Sequence, residues 1–543
     1  MMTKEQMTQL LSDLTSGYGI RQILAILLIF LIGVFFLYGI REKIKTQWLL
    51  ALAYPVGLAL WCVAGFLLLT LGIRFCLFSE LAMIALILAV SVGTAGFRYR
   101  FRERPVLIKR PVITLLVALV LLTLVAAVAV SGILSISTSN DTMYYYMYYP
   151  EVLVKEGAYQ SAHDVFLSDV GPMASLIGTI PAMLGFDQFY GIQQVFNLNF
   201  ILLFAMFSYE RCREKLQEKQ AIIITAVMTV LLITATPFVV LSKWILANVY
   251  VMAYSFILFG LAYKIDRERK RGEQRNHDAM LVFMLLSAMI SMLRMEGGML
   301  MCFMIVCIST LGYSNRELLT RFLLPASVMP CLYYIRYFVF LKVSPVYSFL
   351  TWQKAVVAIA VMVLLGHYIG GIRGKHLVRL QKNMGWLILL GLLLVNGGLF
   401  VIASSEYLVV AKAFLQNVVY REGWGYTIDL ILIYYIVIYL IEKISKISGY
   451  DGQCNEQKTH DIRYENLFLL GYILFTVAVS FARGGGLRRG IGDSGNRVML
   501  QVIPFLIYAL TCRIIDVVAG LERSAAKSLE EGAADNVNHN KCG

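Results

Sequence analysis

The sequence lacks any polar stretch long enough to form a soluble domain. Charged residues make up only 15% of its 543 residues, whereas hydrophobic residues make up 59%. Most of the chain divides into apolar runs of about 17 to 25 residues, the length at which a helix crosses about 30 Å of hydrocarbon. Runs such as 112–136 are apolar on all sides and show no polar face that recurs at each helical turn. The composition predicts an all-α, multi-pass membrane protein and excludes a soluble fold of this size.

Paired cysteines and long basic surfaces are also missing. The nine cysteines show no metal-ligand spacing such as CxxC, so neither a zinc site nor a disulfide framework is predicted. The net charge is +14, but lysine and arginine lie in short loops between apolar runs, and no basic surface with interleaved aromatics appears. This distribution is a topology signal and excludes a nucleic-acid partner.

The basic loops predict how the runs alternate across the bilayer. Residues 20–40 are too long for a signal peptide and are followed by Arg41, which predicts a first span with the N-terminus outside. The most cationic short loop, 98–110, is expected to be cytoplasmic. The predicted spans are 20–40, 48–73, 75–97, 112–136, 189–209, 221–241, 244–265, two short passes within 280–313, 322–341, 354–371, 386–403, 427–441, 466–482 and 498–521.

This pattern gives about fifteen transmembrane helices in an integral cell-membrane protein, with the C-terminus in the cytoplasm. Residues 1–111 are predicted to form N-terminal spans and a basic cytoplasmic loop, and 112–521 to form the main transmembrane core. The polar tail 522–543 is predicted to be cytoplasmic and disordered.

One apolar stretch, 280–313, is interrupted by Arg294, Met295, Glu296, Gly297 and Gly298. Reading it as two short passes joined outside restores the alternation of the later basic loops. Each pass would be only about 22 Å long at 1.5 Å per residue, so tilting or thinning of the bilayer is implied. The two charges would then face the external loops, or they would simply be solvated in a turn.

The long polar loop 137–171 follows the fourth run and is expected to be external. Asp141 is either the N-cap of a surface helix or a general base that takes a proton from a hydroxyl nucleophile. Glu151 and Asp164 are weaker candidates for a supporting acid, and several carboxylates on one loop would suit Mg²⁺ or Mn²⁺. A short helix in the interface, or dipping part-way into the bilayer, is predicted over 172–186.

Two later external loops carry further candidates. Tyr420 and Arg421 pair an aromatic with a cation, a combination suited to a sugar face or a lipid head group. Four arginines break the positive-inside rule in the last external loop, so either an anion is held there or the topology is inverted near the end. These arginines are Arg483, Arg488, Arg489 and Arg497. A guanidinium at Arg497 would hold phosphate oxygens in a bidentate way that lysine cannot.

Three motifs together resemble the GT-C superfamily of polytopic glycosyltransferases of the mannosyl- and arabinosyltransferase type. SNDTMYYYMYYPEVLVKEGAY looks like the family's first external loop, and LRMEGG is similar to its Arg-Pro-Glu-Gly element, with Met295 in place of proline. GDSGNRVMLQVIPFL looks like the late Asn-Arg helix start of the family, with Pro504 downstream. The resemblance covers most of 112–521 and implies an inverting enzyme that uses a polyprenyl-phosphate-linked sugar as donor.

The resemblance also implies roles for individual residues. Asp141 would activate an acceptor hydroxyl of a glycan, lipid or protein on the external face, with Glu296 in support. Arg294 and Arg497 would bind the donor phosphate, together with Arg483 or Arg489. The proline missing before Glu296 and the single acid at position 141 depart from the family pattern, so metal dependence is left open.

Two other classes of protein fit parts of the same pattern. A polysaccharide polymerase or ligase would also need many helices and external arginines, but would join preassembled glycans. A transporter or flippase predicts two related halves and broken helices at mid-membrane, and no convincing internal repeat is present. An inert scaffold would leave the external arginines without a role.

Overall fold

The structure, a computed structural model, describes residues 17–40, 46–98, 142–159, 171–185, 192–242, 244–272, 279–342, 351–371, 383–419, 425–447, 462–482 and 500–539. Every regular element in these ranges is a helix, and none of them contains a strand. The predicted all-α class is therefore confirmed for the part of the chain that is described.

The first half of the chain contributes ten of the helices described. They are α1 (Gly17–Gly39), α2 (Thr46–Leu71), α3 (Leu77–Arg98), α4 (Tyr149–Glu156), α5 (Pro172–Ile177), α6 (Thr179–Leu184), α7 (Ile192–Arg213), α8 (Glu218–Thr234), α9 (Thr236–Leu241) and α10 (Ala247–Lys270). A π-helical turn, Thr142–Tyr148, leads into α4.

The second half of the chain contributes nine more helices in the described ranges. They are α11 (Met280–Leu293), α12 (Gly297–Ile308), α13 (Asn315–Phe340), α14 (Trp352–Gly371), α15 (Met384–Ile402), α16 (Ser404–Val419), α17 (Thr427–Ile447), α18 (Tyr464–Ala482) and α19 (Ile503–His539). A single 3₁₀ turn, Leu500–Val502, precedes α19.

Nine helices in the described ranges are long and apolar enough to cross a membrane. Further apolar helices there, including α11 and α12, are shorter than eighteen residues. The predicted count of about fifteen spans is thus not confirmed, and the run 112–136 lies outside the described residues.

The centre of the bundle is formed by α2 and α10, which are buried on nearly all sides. Along their apolar length neither helix shows a polar face, because neighbouring helices cover nearly all of both. The Tyr254 hydroxyl on α10 donates a 2.8 Å hydrogen bond to the carbonyl of Pro55 on α2. The ring of Phe196 on α7 packs at a tilt against the same tyrosine, with the ring centroids 5.3 Å apart, so α7 closes one side of this central pair.

A network of ion pairs lies at the end of the bundle where α10 finishes, and we name this the charged end. It comprises Glu210, Arg211, Glu214, Lys215, Lys264, Asp266, Arg267, Glu268, Arg269, Lys270, Arg271, Glu317, Arg321, Arg463, Glu465 and Asp516. These residues come from segments that the sequence places on one side of a membrane. We name the other end, where α10 begins, the site end; Asn248 and Asp266 are separated by about 27 Å of helix.

Glu214 is the centre of the charged end. Its carboxylate accepts 2.6 Å hydrogen bonds from both Arg211 and Arg267, and it also pairs with Arg271. Burial by itself would raise the pKa of Glu214, but the three guanidinium groups outweigh it and hold that pKa below its ordinary value.

Two predictions about local structure need correction. The segment 172–186, predicted as one short helix, instead breaks at Gly178 into α5 and α6, and every residue of α5 is buried against α2 and α11. Residues 522–539, predicted to be disordered, continue α19 to His539. The alanines and glutamates of that tail favour helix once a packed helix has nucleated the first turns.

Candidate functional site

The apolar stretch 280–313 breaks at the charged residues, as predicted. Helix α11 ends at Leu293, Arg294 is fully extended (φ −139°, ψ 163°), and α12 begins at Gly297. The rings of Phe283 near the start of α11 and Tyr313 just beyond α12 lie 6.1 Å apart. The two helices therefore fold back on each other as a hairpin, with the Arg-Met-Glu sequence at its tip.

The charges at this tip are not in water. Arg294 is 7% exposed and Glu296 is 8% exposed, and the guanidinium Nε lies 2.6 Å from a carboxylate oxygen of Glu296. The alternative of a turn with solvated charges is therefore wrong. An ion pair that is nearly removed from water must hold its geometry closely, since each charge has lost most of its hydration.

Two glycines let the backbone approach the ion pair closely. A Cβ on Gly297 would lie 2.3 Å from the carbonyl oxygen of Ile290, so only glycine permits this sharp return. Gly171, the last residue of the long polar loop, has φ +97° and would place a Cβ 2.6 Å from the Cα of Arg294. The end of that loop thus rests directly on the backbone of Arg294.

Buried amides connect Arg294 to α10, to the 3₁₀ turn before α19 and to α18. Arg294 donates a hydrogen bond to the side-chain oxygen of Asn248, in the first turn of α10. The same oxygen accepts a 3.1 Å bond from the side-chain amide of Gln501, whose own oxygen accepts a 2.8 Å bond from Tyr472 on α18. One amide oxygen therefore orients a guanidinium and the start of the last helix together.

The beginning of the long polar loop is tied to the same turn of α10. The Tyr146 hydroxyl accepts a 3.0 Å hydrogen bond from the backbone N–H of Ala247, the residue before Asn248. That N–H belongs to the first turn of the helix, where no intrahelical partner exists, so Tyr146 acts as its cap. The two exposed tyrosines of this segment, Tyr144 and Tyr148, point away from the bundle.

These elements surround a small, narrow cavity that is partly open to solvent. Its polar wall is made by Arg294, Glu296 and Gln501. Its other wall is largely apolar and comes from α10, α12 and α18. A lining of this kind, which combines a buried ion pair and an amide with hydrocarbon, suits a polar group that carries an apolar chain.

The predicted site residues are distributed as follows. Arg294 and Glu296 line the cavity, whereas Glu151 is an exposed residue in the first turn of α4 and is not part of its wall. The remaining predicted residues lie outside the described residues: Asp141, Asp164, Tyr420, Arg421, Arg483, Arg489 and Arg497.

Two of these residues are close in sequence to described residues of the site end. Asp141 lies five residues before Tyr146, and Arg497 lies four residues before Gln501.

Sequence reasoning missed Asn248, Gln501 and Tyr472. A signal was present, because Asn248 and Gln501 are amides within apolar runs, where an unpaired polar group is costly and therefore rare. Tyr472 carried no such signal, since tyrosines are numerous in this chain.

No group of three or more His, Cys, Asp or Glu side chains among the described residues is placed to hold a metal ion. The predicted Mg²⁺ or Mn²⁺ ligands other than Glu151 are outside those residues.

Comparisons with protein-family models, curated proteins and solved structures gave no significant match to this chain. Function is therefore argued from the site itself.

Proposed function

We propose that this chain is a membrane glycosyltransferase of the GT-C type, which transfers a sugar from a polyprenyl-phosphate donor to a hydroxyl of a cell-envelope glycan, lipid or protein. About fifteen helices cross the bilayer, the charged end faces the cytoplasm and the site end faces outward. The gathering of the predicted basic cytoplasmic loops at one end supports this orientation, because short loops rich in arginine and lysine stay inside.

One observation carries the functional proposal: three segments far apart in the sequence meet at the first turn of α10. Tyr146 contacts Ala247, Arg294 bonds Asn248, and Gln501 bonds the same asparagine. The first segment adjoins Asp141, the second contains Arg294 and Glu296, and the third adjoins Arg497. These positions match the GT-C motifs, and a catalytic cavity of this class requires the three motifs to lie together.

In the proposed reaction, Asp141 takes the proton of the acceptor hydroxyl as its oxygen attacks the anomeric carbon. The bond from that carbon to the phosphate oxygen breaks, and the electron pair leaves with the polyprenyl phosphate. Arg497, with Arg483 or Arg489, stabilises the negative charge that develops on the leaving phosphate. Arg294 is held by Glu296 and Asn248, so it presents a guanidinium with a fixed orientation at the cavity wall, its charge balanced by Glu296.

The apolar wall of the cavity supports a lipid-linked donor. Leu300, Phe475 and Val479 line it. A soluble nucleotide sugar offers no apolar group to such a surface, whereas the start of a polyprenyl chain would bury apolar area at its mouth, at about 25 cal/mol per Å².

The test uses the purified protein in lipid nanodiscs with synthetic polyprenyl-phosphate sugars that carry a radiolabel in the sugar. The expected products are free polyprenyl phosphate and a labelled acceptor. Asp141→Asn should abolish both while leaving donor binding and the melting temperature unchanged, and Glu151→Gln should match the wild type.

Full turnover by Asp141→Asn would remove this residue as the base. Movement of the intact donor across the bilayer of a proteoliposome, with no cleavage of its sugar phosphate bond, would instead identify a flippase.

A further inference from the structure

Two arginines lie at the site end, and neither of them lines the candidate cavity. Arg74 follows α2, and Arg336 is in the last turn of α13. Both helices begin at the charged end, where Trp48 of α2 donates a hydrogen bond to Glu210 and α13 supplies Glu317. The far ends of α2 and α13 therefore lie at the site end. We name Arg74 and Arg336 the arginine pair.

The loop after α2 supports the side chain of Arg336. A Cβ built on Gly72 would lie 3.3 to 3.6 Å from three atoms of the Arg336 guanidinium, so the guanidinium packs on the backbone of this glycine. Gly72 has φ +73°, a left-handed conformation that larger residues adopt only with strain. The ring centroid of Phe340 lies 5.8 Å from the guanidinium carbon, within the range of a cation–π contact. The structure therefore holds this side chain in place before any ligand binds.

A π-helical turn, Arg336–Phe340, brings the arginine and the phenylalanine together. The N–H of Leu341 donates a 3.0 Å hydrogen bond to the carbonyl of Arg336, which is five positions earlier. An α-helix would bond four positions earlier. Single π-helical turns within α-helices are frequent at functional sites. This helix end is therefore a place where a ligand is to be sought.

Arg74 lies two residues beyond Gly72, so the two Cα atoms are at most about 7 Å apart. The carbonyl of Arg74 accepts a 2.6 Å hydrogen bond from the Ser79 hydroxyl, which fixes the backbone. Its Cγ would lie 3.2 Å from a Cβ on Gly157, whereas the side chain as a whole is exposed. Two positive charges are thus held close together, one against Gly72 and one beside it.

The arginine pair differs from other arginines of the bundle in its partners. At the charged end Arg267 pairs with Glu214, and in the cavity Arg294 pairs with Glu296. No ion pair joins either member of the arginine pair to an acidic residue in the part of the chain that the structure describes. An anion from outside the chain can therefore bind here without displacing a carboxylate of the described helices.

The surface next to the arginine pair is apolar. Six hydrophobic side chains at these two helix ends are exposed: Leu71, Ile73, Phe78, Ile335, Val339 and Phe340. Helix α13 is long and apolar enough to cross a membrane. A long cationic side chain in the last turn of such a helix reaches the level of the lipid head groups. The matching ligand is an anion joined to hydrocarbon, which a membrane lipid provides.

We propose that the arginine pair binds the head-group phosphate of an anionic phospholipid in the leaflet at the site end. Arg336 donates parallel hydrogen bonds to the phosphate oxygens, Arg74 adds a second positive charge, and the acyl chains cover the apolar side chains. An anionic head group binds better than phosphatidylcholine, because the choline ammonium cancels the charge of its own phosphate. The proposal rests on insertion in a membrane and is independent of sugar transfer.

The experiment measures lipid binding to the purified protein in detergent by native mass spectrometry. Phosphatidylglycerol and phosphatidylcholine with identical acyl chains are titrated separately, and the wild type should prefer phosphatidylglycerol. Arg336→Gln and Arg74→Gln should each weaken phosphatidylglycerol binding about fivefold, the contribution of one basic residue near an anionic membrane surface. Binding of phosphatidylcholine should change less.

The matched control is Arg213→Gln, which removes one exposed arginine where α7 ends at the charged end. It should leave the lipid preference unchanged. Arg74→Gln alters an exposed side chain, so it carries the test alone if Arg336→Gln does not fold. Unchanged phosphatidylglycerol affinity in either folded variant of the pair, or an equal loss in Arg213→Gln, would overturn the proposal.

Two competitors identify the source of the phosphate. Inorganic phosphate at the concentration of the lipid should not displace phosphatidylglycerol, because it brings no hydrocarbon, and displacement would indicate a site for a soluble anion instead. Polyprenyl phosphate should bind the wild type and Arg74→Gln equally, since the donor is assigned to the cavity of Arg294. Loss of polyprenyl phosphate binding in both variants of the pair, with phosphatidylglycerol binding unchanged, would assign the pair to the donor and overturn the phospholipid site.

Discussion

The side-chain oxygen of Asn248 accepts a hydrogen bond from the guanidinium of Arg294, which lies 46 residues further along the chain. Because the same oxygen also binds Gln501, this asparagine orders three parts of the site end at once. Its side-chain oxygen therefore fixes the positions of two residues that line the cavity.

Replacing Asn248 with alanine should leave two buried donors without their shared acceptor. The expected loss is about 1 to 3 kcal/mol of unfolding free energy, together with a large drop in donor affinity, because Arg294 is no longer oriented. Thermal melting and a binding titration with polyprenyl phosphate measure the two effects.

The matched control is Asn396→Ala on α15, whose amide bonds the carbonyls of Leu392 and Leu474. It should lower stability to a similar extent without changing donor affinity. Equal affinity losses for both variants would show that Asn248 matters for folding alone.

The ion pair of Arg294 and Glu296 can be separated by a double-mutant cycle. Arg294→Met leaves a buried, uncompensated carboxylate and should cost about 3 to 5 kcal/mol of stability, whereas adding Glu296→Gln should recover most of that loss. The double variant should fold but lack sugar transfer, since the cavity has lost its cation. Sugar transfer at the wild-type rate by the folded double variant would rule out a donor role for Arg294.

Gly171 tests the contact between the long loop and the hairpin tip. Gly171→Ala should prevent correct folding of this region, because the new Cβ would meet backbone atoms that cannot move aside. Gly272→Ala is a fitting comparison: its φ of +77° is also left-handed, but open space surrounds it.

Gly272→Ala should cost only the backbone strain of about 1 to 2 kcal/mol. Expression level and melting temperature of the two variants measure the difference. Similar small losses in both would contradict the close packing of Gly171 on Arg294.

The charged end should make stability sensitive to acid. The pKa of Glu214 is held below its ordinary value, so its ion pairs stabilise the folded protein fully at any pH above the unfolded-chain pKa of about 4.3. This stabilisation is lost as the pH falls through the lower pKa of the folded state. Glu214→Gln should therefore lower the melting temperature at pH 7, and the difference from the wild type should vanish in acid.

Melting curves from pH 7 down to pH 3 measure this difference. Glu218→Gln, which alters an exposed carboxyl group four residues away, should change the melting temperature little across the range. If the difference in melting temperature between Glu214→Gln and the wild type did not change with pH, the ion pairs of Glu214 would add nothing to stability.

Arg497 is predicted to hold the leaving phosphate through two parallel hydrogen bonds. Arg497→Lys keeps the charge but loses this geometry, so transfer should fall strongly while expression and melting temperature stay normal. The turnover assay with the labelled donor measures the effect, and an unaffected rate would exclude bidentate phosphate contact.

The helical class and the break at Arg294 could be read from the sequence, since both depend on local composition. Long apolar runs specify helices whatever their neighbours, and two charges beside Gly297 and Gly298 interrupt such a run locally. The error over 522–539 has the same origin: polarity predicted disorder, yet the residues themselves favour helix, and the packed start of α19 nucleates it.

Sequence by itself determined that the chain is a set of apolar helices with charges between them, because hydrophobicity and helix formation are properties of neighbouring residues. Only the tertiary structure decided that the Arg294–Glu296 pair is buried and that Asn248 joins it to Gln501. Those facts depend on which helix faces pack together. The sequence around one residue does not show which residue, hundreds of positions away, it will contact.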